Sequence, residues 1–303
     1  MKNKPQKHTA GDKVFYTVIF SFLSFFFLIV LYPCIFVLSS SFSSGIAVMA
    51  SRVVLWPVDF SIEGYRVVFN TSAVWIGYRN SIFYTVSSII LSVSMTLTTA
   101  YCLSRNDVPG RNIIMLIFTF TMFFSGGLIP TYLLIRNLGM VDTPWVMIIP
   151  GSISVWNLVM AKTFLQHNIP TELMDAAKID GCSDIAYYTR VVIPLSKAII
   201  AVLVLFYGVS NWNSFFTPMI YLHNRNLYPL TIFLREILLA TQIDITILEG
   251  MDIEAMEALM QLTEAAFVIK YALIVVSVVP VIAIYPFVQK YFIQGVMIGS
   301  IKG

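Results

Sequence analysis

Charged side chains at a spacing that can do work cluster in one stretch, TELMDAAKIDGCSDIAYYTRVVIPLSK, Thr171 to Lys197. Within it Glu172, Asp175, Lys178, Asp180 and Asp184 flank a face of small residues. Such a set supplies recognition: carboxylates and an ammonium beside a small-residue face fix the register of a partner by charge complementarity. Reactive types are scattered elsewhere. Cys34, Cys102 and Cys182 have neither metal spacing nor a disulfide framework and read as small apolar fillers. His8, His167 and His223 are equally far apart, and no Ser/His/Asp set, phosphate-cradling glycine loop or zinc site is present in the sequence. No catalytic or metal residue is therefore expected. A second set, Asn211, Trp212, Asn213 and Phe215 in YGVSNWNSFFTPMIYL, places amides and aromatic faces inside an apolar run. These groups suit the wall of a passage for a neutral, hydroxyl-rich solute, and they serve equally well as glue between helices.

The elements that position these residues follow from composition. The 303 residues are 58% hydrophobic and 12% charged, with mean hydropathy +0.81, against about 25% charge in soluble domains. The chain is read as an all-α integral membrane protein. A helix needs about 20 apolar residues to cross the hydrocarbon core, and six stretches qualify: about Val14 to Ser39, Ser81 to Leu103, Ile113 to Ile135, Trp145 to Leu165, Ala198 to Ile220 and Ala266 to Val288. Every backbone polar group must be paired inside lipid, so each is expected to be a helix. The basic start, residues 1–13, precedes an apolar run too long for a cleaved signal peptide and is read as a retained anchor.

Placing the N-terminus in the cytoplasm puts 12 of the 19 Lys and Arg inside and ten of the 16 Asp and Glu outside. That lean follows the positive-inside rule, accounts for the slight positive balance without a nucleic-acid partner, and leaves both termini cytoplasmic. The expected division is a tail (1–13), a bundle of six transmembrane helices (14–290) and a second tail (291–303). Outer loops cover 40–80 and 221–265. In the first, Ser61 caps a short interfacial helix in IEGYRVVF. In the last, Ile253, Met256, Leu259 and Met260 oppose Glu254, Glu257 and Gln261 at helical spacing, which predicts an amphipathic helical hairpin. The six stretches carry essentially no mid-membrane Asp, Glu, Lys or Arg; Glu264 and Lys270 sit at the outer edge of the last, where they reach water. That argues against proton coupling and voltage sensing, both of which use buried ionisable groups. Gly126, Gly127, Pro130 and Pro218 permit bends where neighbours pair the freed backbone.

In the charged segment, Pro170 opens a helix on which Leu173, Ala176, Ala177 and Asp180 share a face. Gly181 suits the left-handed position that ends a helix, Ser183 caps a second short helix, DIAYYTRVV, and Pro194 precedes the next span. Two alanines and one leucine bury little area at about 25 cal/mol per Å², so the hairpin needs a partner that approaches closely. Helices lying on headgroups are usually rich in Lys and Arg; this one has more acids than bases, which favours a cytoplasmic protein over lipid.

The run DAAKIDG, nine residues, then VVIP resembles the EAA loop of ATP-binding-cassette importer permeases: Glu-Ala-Ala, three residues, Gly, nine residues, Ile-x-Leu-Pro. The matching positions are Asp175, Ala176, Ala177, Gly181, Val191, Ile193 and Pro194, with Asp175 standing where the pattern has Glu. LSRNDVPGR, FFSGGLIPTYLLI, NWNSFF and the ending GVMIGSIKG extend the resemblance to the carbohydrate-importer branch, related to the maltose system. The resemblance implies that Glu172, Asp175, Ala176, Ala177, Asp180, Gly181 and Pro194, within 170–194, form a coupling helix seated on an ATPase. It implies that the tail at Gly295, Gly299 and Gly303 reaches the ATPase interface, and that Asn211, Trp212, Asn213 and Phe215 lie along a substrate path. It further implies a bacterial inner-membrane location with membrane lipid around the spans, a second homologous permease, two ATP-binding cytoplasmic subunits and an extracellular solute-binding protein. No cofactor is expected in this chain; ATP and Mg would be bound by the partner ATPase, since no Walker-type loop is present. The expected function is translocation of oligosaccharides or polysaccharide fragments. A sodium-coupled or facilitative carrier, or a membrane anchor for a cytoplasmic protein, are the alternatives.

Overall fold

The computed structural model describes residues 9–240 and 253–300. Regular structure among them is helical: α1 (Ala10–Ser41), α2 (Gly45–Met49), α3 (Glu63–Asn70), α4 (Ser72–Ser104), α5 (Arg111–Phe123), α6 (Leu128–Asn137), α7 (Trp145–Ile148), α8 (Val155–Asn168), α9 (Thr171–Ile179) and α10 (Asp184–Tyr187). A π-helical turn (Tyr188–Val192) leads into α11 (Ile193–Leu195), followed by α12 (Lys197–Trp212), α13 (Phe216–Tyr221), a 3-10 turn (Arg225–Leu227), α14 (Leu230–Ala240) and α15 (Ile253–Ser300). They divide into two compact units, one from 1–71 and 236–277, the other from 72–235 and 278–303.

In the first unit α1 starts on a capping box. The Thr9 hydroxyl accepts the Asp12 N–H at 3.3 Å and the Asp12 carboxylate accepts the Thr9 N–H at 2.8 Å. The following apolar run is exposed on nearly every side, the signature of a helix apolar all round that faces lipid. At its end four serines are buried, and three of them knit the first loop together: Ser39 Oγ donates to the Leu55 carbonyl at 2.6 Å, Ser43 Oγ accepts the Val58 N–H at 3.0 Å, and Ser41 Oγ meets Tyr65 Oη at 2.8 Å. The cap expected at Ser61 falls one residue later, at Ile62, which makes no side-chain cap bond; the Ser61 hydroxyl, just before it, accepts the Glu63 N–H at 3.2 Å. The helix that follows does more than lie at the surface. Gly64 is buried against α15, where an added Cβ would fall 2.6 Å from the Val268 carbonyl oxygen. Lys270 sits over the rings of Phe267 and Tyr271, at 5.4 and 5.3 Å.

The second unit is built on α4, against which α8 and α12 pack. Leu97, Ala100, Leu158, Ala161, Leu203 and Tyr207 lie at the centre of its larger core. Hydroxyls stitch that core: Tyr207 Oη meets Thr96 Oγ1 at 2.6 Å and accepts the Ser154 N–H at 3.0 Å. A second cluster gathers Tyr84, Ile135, Met147 and Tyr221. Here Ser88 Oγ donates to the Met147 carbonyl at 3.1 Å, the Asn80 amide donates to the Asn226 and Tyr228 carbonyls at 2.7 and 3.0 Å, and Ser81 Oγ accepts the Leu230 N–H at 2.9 Å. Asp142, at φ +57, accepts the N–H groups of Asn224 and His223 at 2.8 and 2.9 Å, which lower its carboxyl below the ordinary range.

The helices depart from six uninterrupted crossings. Three are individually long and apolar enough to span: residues 11–41, α4, and 263–286 of α15. Two bent pairs also qualify, α5 with α6 at 115° and residues 184–195 with α12 at 78°. The first bend lies at FSGG, where Gly127 takes φ +82, as the paired glycines predicted. The stretch expected as a fourth span, 145–165, is cut into α7 and α8. Pro150 cannot donate a backbone hydrogen bond and Gly151 turns to φ +75; the Tyr207 hydroxyl then pairs one freed amide, that of Ser154. The hairpin expected in the last loop is helical on both sides, in α14 and from Ile253 onward, while residues 241–252 lie outside the described residues. The expected tail at 291–303 is continuous with α15 through Ser300.

Two outcomes follow from this packing. Gly64→Ala forces α3 away from α15 and should lower stability by about 1–3 kcal/mol, read as a reduced thermal midpoint of the detergent-purified protein. Tyr207→Phe should cost about 1 kcal/mol by unpairing the Ser154 amide, with little further loss in the Thr96→Val, Tyr207→Phe double variant.

Candidate functional site

The hairpin at Thr171–Leu195 forms as its residues dictate. Pro170 is the extended residue before α9 rather than its first helical one, with φ −62 and ψ 144. After the cap at Asp180, Gly181 takes φ +73. Its N–H bonds to the Lys178 carbonyl at 3.1 Å and the Cys182 N–H to the Ala177 carbonyl at 2.9 Å, the paired bonds of a Schellman stop. Ser183 Oγ then accepts the Ala186 N–H at 3.3 Å to start α10. The expected second helix changes pitch after Tyr187 into a π turn that ends just before Pro194. The limb finishes at Ser196, and the chain bends sharply into α12.

The face predicted for Leu173, Ala176, Ala177 and Asp180 is divided. Ala177, with Met174, packs against the core, whereas Leu173, Ala176 and Asp180 are exposed, as are Glu172, Asp175, Gly181 and Pro194. Two large apolar side chains that the spacing argument passed over flank the tip: Ile179 is 87% exposed and Ile185 78%. Their isolation among charges was the sequence signal for them.

Arg105 was also passed over, although an acid two residues on, in SRNDVPGR, marks an arginine able to fold back on its own turn. Its guanidinium grips Asp107 through two bonds, Nε to Oδ1 at 2.9 Å and Nη2 to Oδ2 at 2.5 Å, and reaches Asp184 Oδ1 at 2.7 Å and Tyr101 Oη at 3.2 Å. It also lies over the Tyr101 ring at 5.7 Å and is only 13% exposed. Lys178 Nζ approaches Asp107 at 3.6 Å. The bond to Asp107 raises the Arg105 pKa above its ordinary value, and Arg105 in turn holds the Asp107 carboxyl far below the usual carboxylate range. Between this turn and α9 lies a cleft of about 500 Å³ bordered by Met174, Asp175, Lys178 and the buried Tyr187.

The second predicted set is not gathered into one cavity. The Asn211 amide donates to the Tyr207 carbonyl one turn back at 2.9 Å, and the backbone of exposed Asn213 caps α12. Phe215 is exposed and edge-on to Phe216. Trp212 meets Tyr78 edge-on, ring centroids 6.0 Å apart, and borders an apolar cavity of about 410 Å³ with Val86, Gly208 and Ile284. Gly295 and Gly299 lie within α15, and Gly303 is outside the described residues. No cluster of three or more His, Cys, Asp or Glu with metal-binding geometry occurs among the described residues.

Residues 70–298 match the family model described as the binding-protein-dependent transport system inner membrane component. The chain is 38% identical over 292 residues to the polygalacturonan/rhamnogalacturonan transport system permease protein YtcP of Bacillus subtilis (strain 168), covering 96% of this chain and 99% of that one. It is 36% identical over 296 residues to protein LplC of the same organism, covering 98% and 97%. Its fold is similar to a crystal structure of a bacterial ABC transporter involved in the import of the acidic polysaccharide alginate, with TM-score 0.82 and 33% identity over 95% of this chain and 99% of that one. With α8 and α12 packed on α4 and a charged hairpin whose second limb opens the second bent pair, the chain belongs to the family of inner membrane components of binding-protein-dependent transport systems, as a multi-pass permease.

Proposed function

We propose that this permease is the translocating subunit of an ATP-driven, binding-protein-dependent importer of oligosaccharides or polysaccharide fragments, and that the hairpin at 170–194 is its docking point for an ATPase. The carrying observation is the tip of that hairpin, where Ile179 and Ile185 stand exposed beside Glu172, Asp175, Ala176 and Asp180. Two isoleucines held out among charges are costly to leave in water, at about 25 cal/mol per Å². A protein cleft that buries them and meets the acids with bases removes that cost. The sugar class is supported by relatives whose names state oligosaccharide or polysaccharide transport.

On this reading the hairpin faces the cytoplasm together with both termini. The chain works with a second homologous permease, two ATP-binding subunits that hold ATP and Mg, and an extracellular solute-binding protein. Closure of the ATPases displaces α9 and α10, and the bent junction at Ser196 passes that displacement to α12, so the bundle rocks between inward- and outward-open states. Gly181 keeps the tip sharp, and Gly295, Gly299 and Gly303 line the part of the chain that nears the ATPases. Trp212 is the pathway candidate that borders a cavity; Asn211, Asn213 and Phe215 serve beside it. Hydrolysis belongs to the partners.

Beyond its two chain neighbours no residue comes within 4 Å of a Cβ built on Gly181, so a substitution there strains only the left-handed backbone, by about 1–2 kcal/mol. In the reconstituted complex Gly181→Ala should therefore reduce ATP-dependent uptake, and Gly181→Asn, which tolerates that conformation, should retain more. Ile185→Asp should remove the ATPase from the copurified complex while the permease still inserts. Uptake by the permease alone, without ATP, would instead favour a facilitative carrier.

A further inference from the structure

The turn between α4 and α5 is tied to both limbs of the hairpin, and the proposed docking role does not require that tie. Arg105 stands at its centre. Its 2.7 Å bond to Asp184 crosses 79 residues of sequence to the first turn of α10. Asp107, which Arg105 holds with two bonds, forms an ion pair with Lys178 near the end of α9 at 3.6 Å. Two acids and two bases thus join the turn to α9 and α10. The aromatic rings of Tyr101 and Tyr188, centroids 5.1 Å apart, with Tyr188 Oη at 3.0 Å from Thr98 Oγ1, connect the same limb to the last turns of α4. Apart from these links the hairpin reaches the bundle through its chain ends and through apolar contacts, among them Met174, Ala177, Cys182, Tyr187 and Val192 in the core.

The chemistry favours a positioning role over surface decoration. Exposed ion pairs contribute little, but Arg105 is only 13% exposed, and its planar fork engages one carboxylate bidentately and a second one singly, a geometry lysine cannot reproduce. The turn itself is braced from the other side: Arg111 Nη1 donates to the Arg105 carbonyl at 2.8 Å and to Asn106 Oδ1 at 2.5 Å. A displacement of α10 therefore pulls on the end of α4, the helix against which α8 and α12 pack.

We infer that Arg105 is a positioning residue for energy coupling: through Asp184 and Asp107 it transmits hairpin movement to α4, so that the turn at 104–111 and the hairpin act as one lever. The inference rests on the docking reading of the hairpin, and the experiment separates the two. The assembled complex with its binding protein, in proteoliposomes, is compared with variants for solute taken up per ATP hydrolysed and for copurification of the ATPase. Arg105→Gln is expected to keep the ATPase bound and to lower uptake per ATP about tenfold, within the range of coupling energies for contacting pairs. Arg105→Lys should recover part of it. Asp184→Asn, on the exposed partner, should give a smaller fall in the same direction, and the double variant should be no worse than Arg105→Gln alone. Unchanged uptake per ATP in assembled Arg105→Gln, or additive losses in the double variant, would overturn the lever. Should Arg105→Gln fail to insert, an unchanged ratio in Asp184→Asn would overturn it as well. Loss of ATPase binding in Arg105→Gln would also count against it, assigning Arg105 to docking; failure of Ile185→Asp to release the ATPase would instead strike the docking reading.

Discussion

A backbone amide or carbonyl left unpaired in hydrocarbon costs several kcal/mol, and the architecture of this permease turns on how it meets that demand where helices break. The breaks are many: at Gly127, at Pro150 and Gly151, at Ser196 and around Leu222. Side chains on α4 and α12 meet the breaks near Pro150 and beyond Leu222. Tyr207 takes the Ser154 amide, Ser88 donates to the Met147 carbonyl, Ser81 takes the Leu230 amide, and Asn80 with Tyr84 donates to carbonyls between Asn226 and Tyr228. A long apolar helix thus carries a row of polar groups inward, and α4 becomes the spine on which broken elements are hung.

The same economy appears in the other unit with small residues in place of polar ones. Gly45 and Gly64 let short helices approach the backbone of α15 so closely that any Cβ would clash, and buried serines fasten the loop between them. Neither device needs a large apolar core, which lipid-facing helices cannot build because their apolar faces gain nothing by leaving lipid.

At the hairpin, local rules and long-range ones divide the work. The Schellman stop at Gly181 and the cap at Ser183 are local, and the resulting tip presents Ile179 and Ile185 regardless of what lies beneath. Its attachment is not local. Arg105, Asp107, Lys178 and Asp184 come from three separate elements, and the tie between them exists only once α4 and the hairpin are packed together.

By itself the sequence determined whatever depends on composition or on neighbours within a few residues. That covers an all-helical membrane chain, the run of α1, α4 from Ser81 onward though not its first turns from Ser72, a bend at the paired glycines, the helix–turn–helix from Thr171, and the EAA-like pattern that carried the family. Tertiary structure decided which apolar runs are single helices, because a break at Pro150 is tolerable only when a distant tyrosine pairs the freed amide. It separated Ala177 from Ala176, one facing the core and one facing out, because the spacing rule gives a common face but not which edge of it is covered. It also left Asn211, Trp212, Asn213 and Phe215 apart and brought Arg105 to the hairpin. Neighbouring residues on a helix point to different sides, whereas residues far apart in the chain meet wherever packing and charge bring their side chains together.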